Sequence, residues 1–223
     1  MPRPPQPAPT PPSSPSSPSS PSSASPSASR RYHHGDLRAA LLASAERTLR
    51  EKGAGALSLR ELARDTGVSH AAPGRHFKDK QALLDALALD GYDRLNQALA
   101  TAADHPGHSL EQRVTALARA YLGFAVDNPE LLELMFARKH DPDSSAQLAA
   151  AVDRSLGTFT RMIAEAQERG EIIQGDPERI TMVAAASLHG LAALIAGCAL
   201  DAQEALAGLD EHVHLLLHGL RPR

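Results

Sequence analysis

Apolar residues recur at intervals of three and four along most of the chain after residue 30, which is the spacing of one face of an α-helix. Leu37, Leu41 and Leu49 follow this spacing in a first predicted helix, which Asp36 can cap. No segment alternates apolar and polar residues as a half-buried strand does. Aromatic residues make up only 3% of the chain, so Ala, Leu, Val and Ile must build the core. The pattern predicts an all-α fold.

A short second helix and a third follow the first. Ser58 and Glu61 have the spacing of a capping box at the start of the second helix. Gly67 permits the positive φ of a tight turn, and Ser69 can cap a third helix from about 70 to 77. A helix, a glycine-containing turn and a second short helix form a helix-turn-helix.

Longer helices with their own start signals are predicted beyond this unit. Asp79 can cap a fourth helix with Leu83, Leu84, Leu87 and Leu95 on its inner face, and Ser109 with Gln112 opens one to about Asp127. The others are predicted from Pro129 to Ala137, from Asp143 or Ser144 to Gly170, from Asp176-Pro177 to about Gly197, and in a last stretch ending near His218.

Composition and charge divide the chain into three segments. Residues 1–29 are almost entirely Pro, Ser and Ala, and we predict a disordered tail there. Residues 30–80 have a net charge of +5, whereas residues 81–223 have a net charge of −9. A basic N-terminal segment followed by an acidic segment indicates that the N-terminal segment binds a polyanion, although a chance distribution of charged residues gives the same numbers.

Two further features limit the location and chemistry of the protein. The single cysteine, Cys198, excludes an intramolecular disulfide and a cysteine-based metal cluster, and fits a reducing cytoplasm. The apolar stretch from Met182 to Leu200 is about as long as a membrane span, but it contains Ser187 and His189. We therefore favour a buried interface helix and expect no membrane association.

The third predicted helix has the side chains that DNA reading requires. The major groove, about 12 Å wide, admits one α-helix, and the first helix of the pair braces the second against the backbone. His70, Ala71 and Arg75 are small or hydrogen-bonding, and Arg60, His76, Lys78 and Lys80 supply positive charge. The alternative is an ordinary three-helix bundle with a solvated charged surface.

The N-terminal motifs resemble those of the TetR (tetracycline-repressor-like) family over residues 32–90. They are Tyr32-His33-His34-Gly35-Asp36-Leu37-Arg38, Leu57-Ser58-Leu59-Arg60-Glu61-Leu62-Ala63, Gly67-Val68-Ser69-His70-Ala71-Ala72-Pro73, Arg75-His76-Phe77 and Lys80. Further along, Leu188-His189-Gly190-Leu191 is similar to a motif of one subgroup. The resemblance implies an all-α homodimer with a helix-turn-helix DNA-binding domain over 30–80 and a helical ligand-binding and dimerisation domain over 81–223.

The resemblance also implies double-stranded DNA with a palindromic operator as the partner and a small-molecule effector that releases it. Chemistry assigns His70 to a base edge, Ala71 or Ala72 to a thymine methyl group, and Arg75 to a guanine or a phosphate. Amide groups behind Ser58 can receive a phosphate. The predicted DNA-contacting residues are Ser58, Arg60, Ser69, His70, Ala71, Ala72, Arg75, His76, Lys78 and Lys80, with Arg30 and Arg31 as a candidate minor-groove arm.

One position departs from the family pattern. The family usually has a phosphate-contacting Tyr directly before the position of Arg75, and this chain has Gly74. Gly74 and Pro73 both weaken a helix, so the reading helix is expected to be short or irregular. The alternative function is a helical small-molecule-binding protein of the same fold with weak or lost DNA affinity.

The larger side chains of the C-terminal segment are candidates for a ligand pocket, although this spacing also fits plain core. They are Tyr121, Phe124, Met135, Phe136, Phe159, Met162, Met182 and His189, and for His189 a packed or interface role is favoured over a ligand contact. His214 and His218 have metal-ligand spacing without a certain third ligand, so we expect neither metal nor cofactor. No phosphate loop, nucleophile elbow or zinc-protease signature indicates an enzyme.

Overall fold

The computed structural model describes residues 34–104 and 107–218, with side chains from Leu37 onward. The predicted disordered tail and the arm of Arg30 and Arg31 lie outside the described residues. Within the described ranges all regular secondary structure is helical, which confirms the predicted all-α fold. The helices are α1 (His34–Lys52), α2 (Leu59–Asp65), α3 (Lys80–Ala103), α4 (Leu110–Asp127), α5 (Pro129–Lys139), α6 (Ala146–Glu168), α7 (Pro177–Ala196), α8 (Ala202–Ala207) and α9 (Leu209–His218).

Most of the predicted helix starts are present. Asp79 accepts a hydrogen bond from the Ala82 amide at 2.8 Å, and Ser109 and Gln112 form a complete capping box. The start of α6 is shifted, because Ser145 is its cap rather than Asp143 or Ser144. Asp36 lies inside α1 rather than at its cap, and the last predicted stretch is two helices, α8 and α9, separated at Gly208.

The predicted capping box at α2 is wrong. Ser58 precedes α2 in extended conformation, but its side chain makes no capping hydrogen bond. Glu61 lies 3.5 Å from Arg64 within the same helix, so an ion pair replaces the reciprocal bond to the Ser58 amide. The first amide groups of α2 therefore lack a side-chain cap.

The end of α2 is formed by a Schellman motif. The Val68 amide donates to the Ala63 carbonyl at 2.9 Å, and the Gly67 amide donates to the Arg64 carbonyl at 3.1 Å. Gly67 has φ of 69°, a left-handed conformation that an L side chain strains. The predicted turn of the helix-turn-helix is thus present, and glycine is required there.

Helix α3 is the central element of the fold. It packs against α1 on one side and against α4, α5 and α6 along its length. Leu83, Leu87 and Leu95 on its inner face are all buried, as predicted, and Leu99 continues this face. Because α3 begins at Lys80, one continuous helix joins the helix-turn-helix to the C-terminal helices.

The contact between α3 and α5 depends on Gly91. A Cβ atom at this position would lie 2.6 Å from Met135 Sδ and 3.2 Å from Leu131 Cγ. Met135 is fully buried, so a Cβ at position 91 would require its side chain to shift within the core. The absence of a side chain at Gly91 therefore allows α3 and α5 to approach closely.

We expect Gly91→Ala to destabilise the protein and the matched change Gly157→Ala to stabilise it. Both glycines lie in helix interiors, where alanine gains about 1 kcal/mol in helix propensity. A Cβ at Gly157 meets nothing within 4 Å, whereas overpacking at Gly91 costs about 1–3 kcal/mol. Urea unfolding of the two variants measures the change in the free energy of unfolding relative to the wild type. Equal stabilisation of both variants would contradict the close contact between α3 and α5 at Gly91.

Helix α7 is the one described helix with the length and mean hydropathy of a membrane span. It packs against α4 and α6, and its residues Leu188 and Ala192 are buried. Its other face exposes Met182, Val183 and Leu194. The helix is thus a core element on one side and an uncovered apolar surface on the other.

Candidate functional site

The segment after the Gly67 turn is not an α-helix. Residues 70 and 71 form a turn, and a single 3₁₀ turn follows at Pro73–Arg75. The predicted third helix from about 70 to 77 is therefore wrong in type. The physical reason is local, because Pro73 has no amide hydrogen to donate and Gly74 favours non-helical conformations.

Two buried residues hold this irregular segment against the domain. Pro73 and Phe77 are both buried, and Phe77 is only 2% exposed. The Arg38 guanidinium of α1 lies 5.5 Å from the centre of the Phe77 ring, within the range of a cation–π contact. The Phe77 amide also donates to the Pro73 carbonyl at 2.9 Å. We refer to residues 69–76, held in this way, as the reading segment.

The reading segment presents its predicted contact residues to solvent. Ser69, His70, Ala71 and Arg75 are exposed, and Ala72 and His76 are half-buried. Beside them, Ser58 is half-buried, Arg60 is exposed, and the Lys78 side chain is 82% exposed. Arg60 and Arg75 form no ion pair with a described carboxylate. The structure thus places these predicted residues on one accessible part of the N-terminal domain, with positive charge available.

Lys80 differs from the other predicted contacts. Its Nζ donates a hydrogen bond to the Gly55 carbonyl at 2.9 Å, which ties the start of α3 to the loop between α1 and α2. An ammonium group has three donors, so this bond leaves two for another acceptor. Lys80 consequently has a structural role that the sequence alone did not indicate.

A largely apolar cavity of about 310 Å³ lies among α3, α4, α5, α6 and α7. Five of the predicted pocket residues lie in its wall: Tyr121, Phe136, Phe159, Met182 and His189. The wall also contains residues that the sequence analysis did not select: Tyr92, Leu95, Leu99, Lys139, His140, Val152, Ser155, Leu156, Ala185, Ala186 and Leu188. A volume near 300 Å³ is the lower end of the range for small-molecule pockets.

The remaining three predicted pocket residues lie elsewhere. The Phe124 ring lies 5.8 Å from the Arg94 guanidinium, and Met135 fills the space beside Gly91. Met162 is buried and lines a separate, more polar depression with Arg113 and Glu165. None of the three is in the cavity wall.

Two polar side chains of the cavity wall form a hydrogen-bonded pair. The Tyr121 hydroxyl lies 2.9 Å from His189 Nδ1, and the His189 ring stacks on Phe136 with centres 3.9 Å apart. Burial raises the pKa of the Tyr121 hydroxyl well above its usual value and raises the pKa of Tyr92 to about 12. Burial, and then the charge of Lys139, lowers the pKa of His189 below its usual value. At neutral pH His189 is therefore uncharged.

The buried Arg138 links the cavity helix α5 to the start of α3. Its Nε donates to Asp85 Oδ1 at 2.7 Å and its Nη1 donates to Gln81 Oε1 at 2.8 Å. Arg138 also binds Asp141, and its side chain is 7% exposed. Since Gln81 and Asp85 lie in the first two turns of α3, this cluster joins the cavity wall to the helix that follows the reading segment.

The histidines with metal-ligand spacing have other partners. His214 Nδ1 lies 2.9 Å from Glu111 Oε1, and the His214 ring stacks loosely on His218 with centres 6.4 Å apart. His212 Nε2 lies 2.8 Å from the Ser187 hydroxyl. Over residues 34–104 and 107–218 no group of three or more His, Cys, Asp or Glu side chains is arranged to hold a metal ion.

Two family models match the chain. Residues 41–87, which include α2 and the reading segment, match the model of bacterial regulatory proteins of the tetR family. Residues 114–220, which include α5, α6 and α7, match the tetracyclin repressor-like C-terminal domain. The chain belongs to the TetR family. The N-terminal helix-turn-helix domain and the helical C-terminal domain that the motifs predicted are thereby confirmed.

Individual proteins are similar to this chain over long stretches. An HTH-type transcriptional regulator of Mycobacterium tuberculosis is 32% identical over 149 residues. That match covers 64% of this chain and 62% of the relative's length. A solved structure from Rhodococcus sp. RHA1, of a protein with unknown function, has a TM-score of 0.80 and 45% identity over 86% of this chain and 100% of its own.

A second structure shows the same fold at lower identity. A bacterial regulatory protein in the tetR family from Rhodococcus RHA1 is 24% identical, with a TM-score of 0.66 over 84% of this chain and 98% of its own. At this identity the TetR fold is the common property.

Proposed function

We propose that this protein is a sequence-specific, DNA-binding repressor that binds a palindromic operator as a homodimer and is released by a small-molecule ligand. The observation that carries the proposal is the accessible, basic reading segment, fixed by Phe77 and followed directly by α3, a wall of the ligand cavity. Its site of action is bacterial DNA, which places it in the cytoplasm.

The charges beside the reading segment support a role in binding DNA. Phosphate contacts position a protein on the duplex, and they require cations that are free to reach the backbone. Arg60 is exposed on one side of the segment, and on the other Lys78 is 82% exposed and makes only a long, exposed contact of 4.0 Å with Asp79. His70 and Arg75, which are exposed within it, have the donors to read base edges.

The uncovered faces of α7 and α9 support a dimer. Met182, Val183 and Leu194 on α7 and Leu215 on α9 are each at least half exposed and apolar. The exposed residues between them on α7 are small, which allows helices to approach closely. A two-fold dimer through these helices would present two reading segments to the two half-sites of a palindrome, whose centres lie about 34 Å apart on DNA.

The function is tested by footprinting on promoter fragments, including DNA upstream of the protein's own coding sequence. We expect protection of two inverted half-sites about one helical turn apart. A cell extract or a co-purified small molecule should relieve that protection. If no fragment is protected even at low salt, the repressor assignment fails.

A second function is favoured by the irregular reading segment. Without an α-helix at residues 70–77 and without the family's tyrosine, the protein would be a helical small-molecule-binding protein with weak or lost DNA affinity. Ligand binding in the cavity together with absent footprints would establish this alternative.

Gly74→Tyr is expected to tighten DNA binding about tenfold, because a hydrogen bond to a charged group contributes about 1.5–3 kcal/mol. The substitution is sterically free, since Gly74 is exposed and a Cβ there meets nothing within 4 Å. Gly74→Phe is the matched control, with the same ring and no hydroxyl. Fluorescence anisotropy with operator DNA measures both, and equal effects of Tyr and Phe would exclude a phosphate contact.

A further inference from the structure

Lys139 gives the cavity wall a positive charge at neutral pH, and none of the described lining residues gives it a negative one. Lys139, His140 and the uncharged His189 line the cavity, and no Asp or Glu of the described residues does. The two tyrosines in the wall, Tyr92 and Tyr121, remain neutral because burial raises the pKa of both hydroxyls. The electrostatic character of the wall therefore opposes a cationic ligand and favours an anionic one.

The charge of Lys139 is not compensated within the described part of the protein. Its Nζ lies 5.3 Å from the centre of the Phe136 ring and forms no ion pair with a described Asp or Glu. The neighbouring carboxylates Asp85 and Asp141 are both bound by Arg138. A cation–π contact is a weak partner for an ammonium group, so Lys139 is available to a ligand carboxylate.

His189 provides a second donor close to the same ring. Tyr121 keeps its proton and lies at hydrogen-bond distance from Nδ1 of a neutral imidazole. When Tyr121 donates to Nδ1, the single imidazole proton is on Nε2, which is then a donor. Phe136 contacts both Lys139 and His189, so the two donors lie beside the same aromatic ring.

The rest of the wall requires an apolar ligand body. Leu95, Leu99, Val152 and Leu188 are buried residues of the lining, and the buried Ser155 hydroxyl is already bonded to Asn96 at 2.7 Å. A volume of about 310 Å³ holds about ten groups the size of a water molecule or a methylene. The wall is thus divided between an apolar majority and one cationic side.

We infer that the effector is an amphipathic monocarboxylic acid, with its carboxylate at Lys139 and His189 and an apolar body of about ten carbon atoms among the buried leucines. The inference names the ligand class of the regulator proposed above and rests on that proposal for its physiological meaning. An ammonium head would meet Lys139 with like charge, and a hydroxyl head would leave the Lys139 charge uncompensated.

Isothermal titration of the full chain without DNA tests the inference. Three probes of equal chain length are used below their micellar concentrations: decanoate, decanol and decylamine. We expect decanoate to bind at least about tenfold more tightly than decanol, because a hydrogen bond between charged groups is stronger than one to a neutral hydroxyl. Decylamine should bind most weakly of the three. Lys139→Met should reduce decanoate affinity about tenfold and leave decanol affinity unchanged.

Lys52→Met, which removes an exposed lysine at the end of α1, is the matched control and should leave all three affinities unchanged. The inference is overturned if decanol or decylamine binds as tightly as decanoate, or if Lys139→Met weakens decanoate and decanol equally. DNA footprinting separates the two proposals. Selective decanoate binding without any footprint refutes only the repressor, whereas a footprint without decanoate preference refutes only the ligand class.

Discussion

The Arg138→Met protein is expected to be less stable than the wild type by about 3–5 kcal/mol, because removing one partner of a buried ion pair leaves the other charge uncompensated. Asp85, whose side chain is only 15% exposed, and Asp141 would lose their cation, and the Gln81 carbonyl would lose its hydrogen-bond donor. Urea unfolding followed by circular dichroism measures the change in the free energy of unfolding.

Arg154→Met is the matched control. Arg154 also connects α6 to α3, with its guanidinium 2.9 Å from Asp93, but both side chains are more than half exposed. An exposed ion pair contributes at most about 1 kcal/mol. Similar losses of unfolding free energy for Arg138→Met and Arg154→Met would mean that the Arg138 cluster is not a buried structural link.

Combining Arg138→Met with Asp85→Leu should recover part of the lost unfolding free energy, since no unpaired carboxylate then remains at position 85.

Replacing Leu194 with Glu is expected to dissociate the proposed dimer into monomers and to weaken operator binding by about 100-fold or more. Leu194 is 50% exposed in the isolated chain, so the substitution costs the folded protomer little. In a two-fold interface, position 194 of each protomer would be buried against the other protomer. A buried glutamate without a cationic partner there would destabilise the dimer. Losing the second half-site removes the affinity gain of bivalent binding, which is about 10²–10⁴-fold.

Light scattering after size-exclusion chromatography measures the mass, and anisotropy measures DNA affinity. Ile173→Glu is the control, because Ile173 is an exposed apolar residue in the segment between α6 and α7 rather than on the proposed interface. The interface assignment is refuted if Leu194→Glu remains a dimer, or if both variants lose the dimer equally.

Local signals in the sequence predicted most helix boundaries. Caps such as Asp79 and Ser109 act within three residues, so their spacing is enough to identify them. Ser58 shows the limit of this reasoning, because Glu61 has a competing partner, Arg64, on the same helix. Pro73 and Gly74 predicted the irregularity of the reading segment, but the contact of Phe77 with Arg38 that holds the segment against α1 has no local signal.

The cavity could be predicted only in part. Phe124 and Phe136 are both aromatic residues on amphipathic helices, yet only Phe136 lies in the wall. Which helix face borders the cavity depends on how α4 and α5 cross α3, and side-chain periodicity does not specify that crossing. Lys139 and Tyr92 were missed for the same reason. The link from Arg138 to Asp85 joins residues 53 positions apart and has no local signal.

The central claim is that the reading segment binds a specific DNA sequence, and salt-dependent anisotropy tests it most directly. Wild type, His70→Ala and Lys78→Ala are titrated with the footprinted upstream DNA and with a shuffled sequence at several salt concentrations. We predict that the wild type prefers the specific DNA by about 10³-fold or more, with affinity falling linearly on a log–log plot against salt. His70→Ala should reduce the preference by about 1–3 kcal/mol, and Lys78→Ala should lower the salt slope by about 1 while preserving the preference. Equal affinity of the wild type for specific and shuffled DNA at every salt concentration would contradict the account.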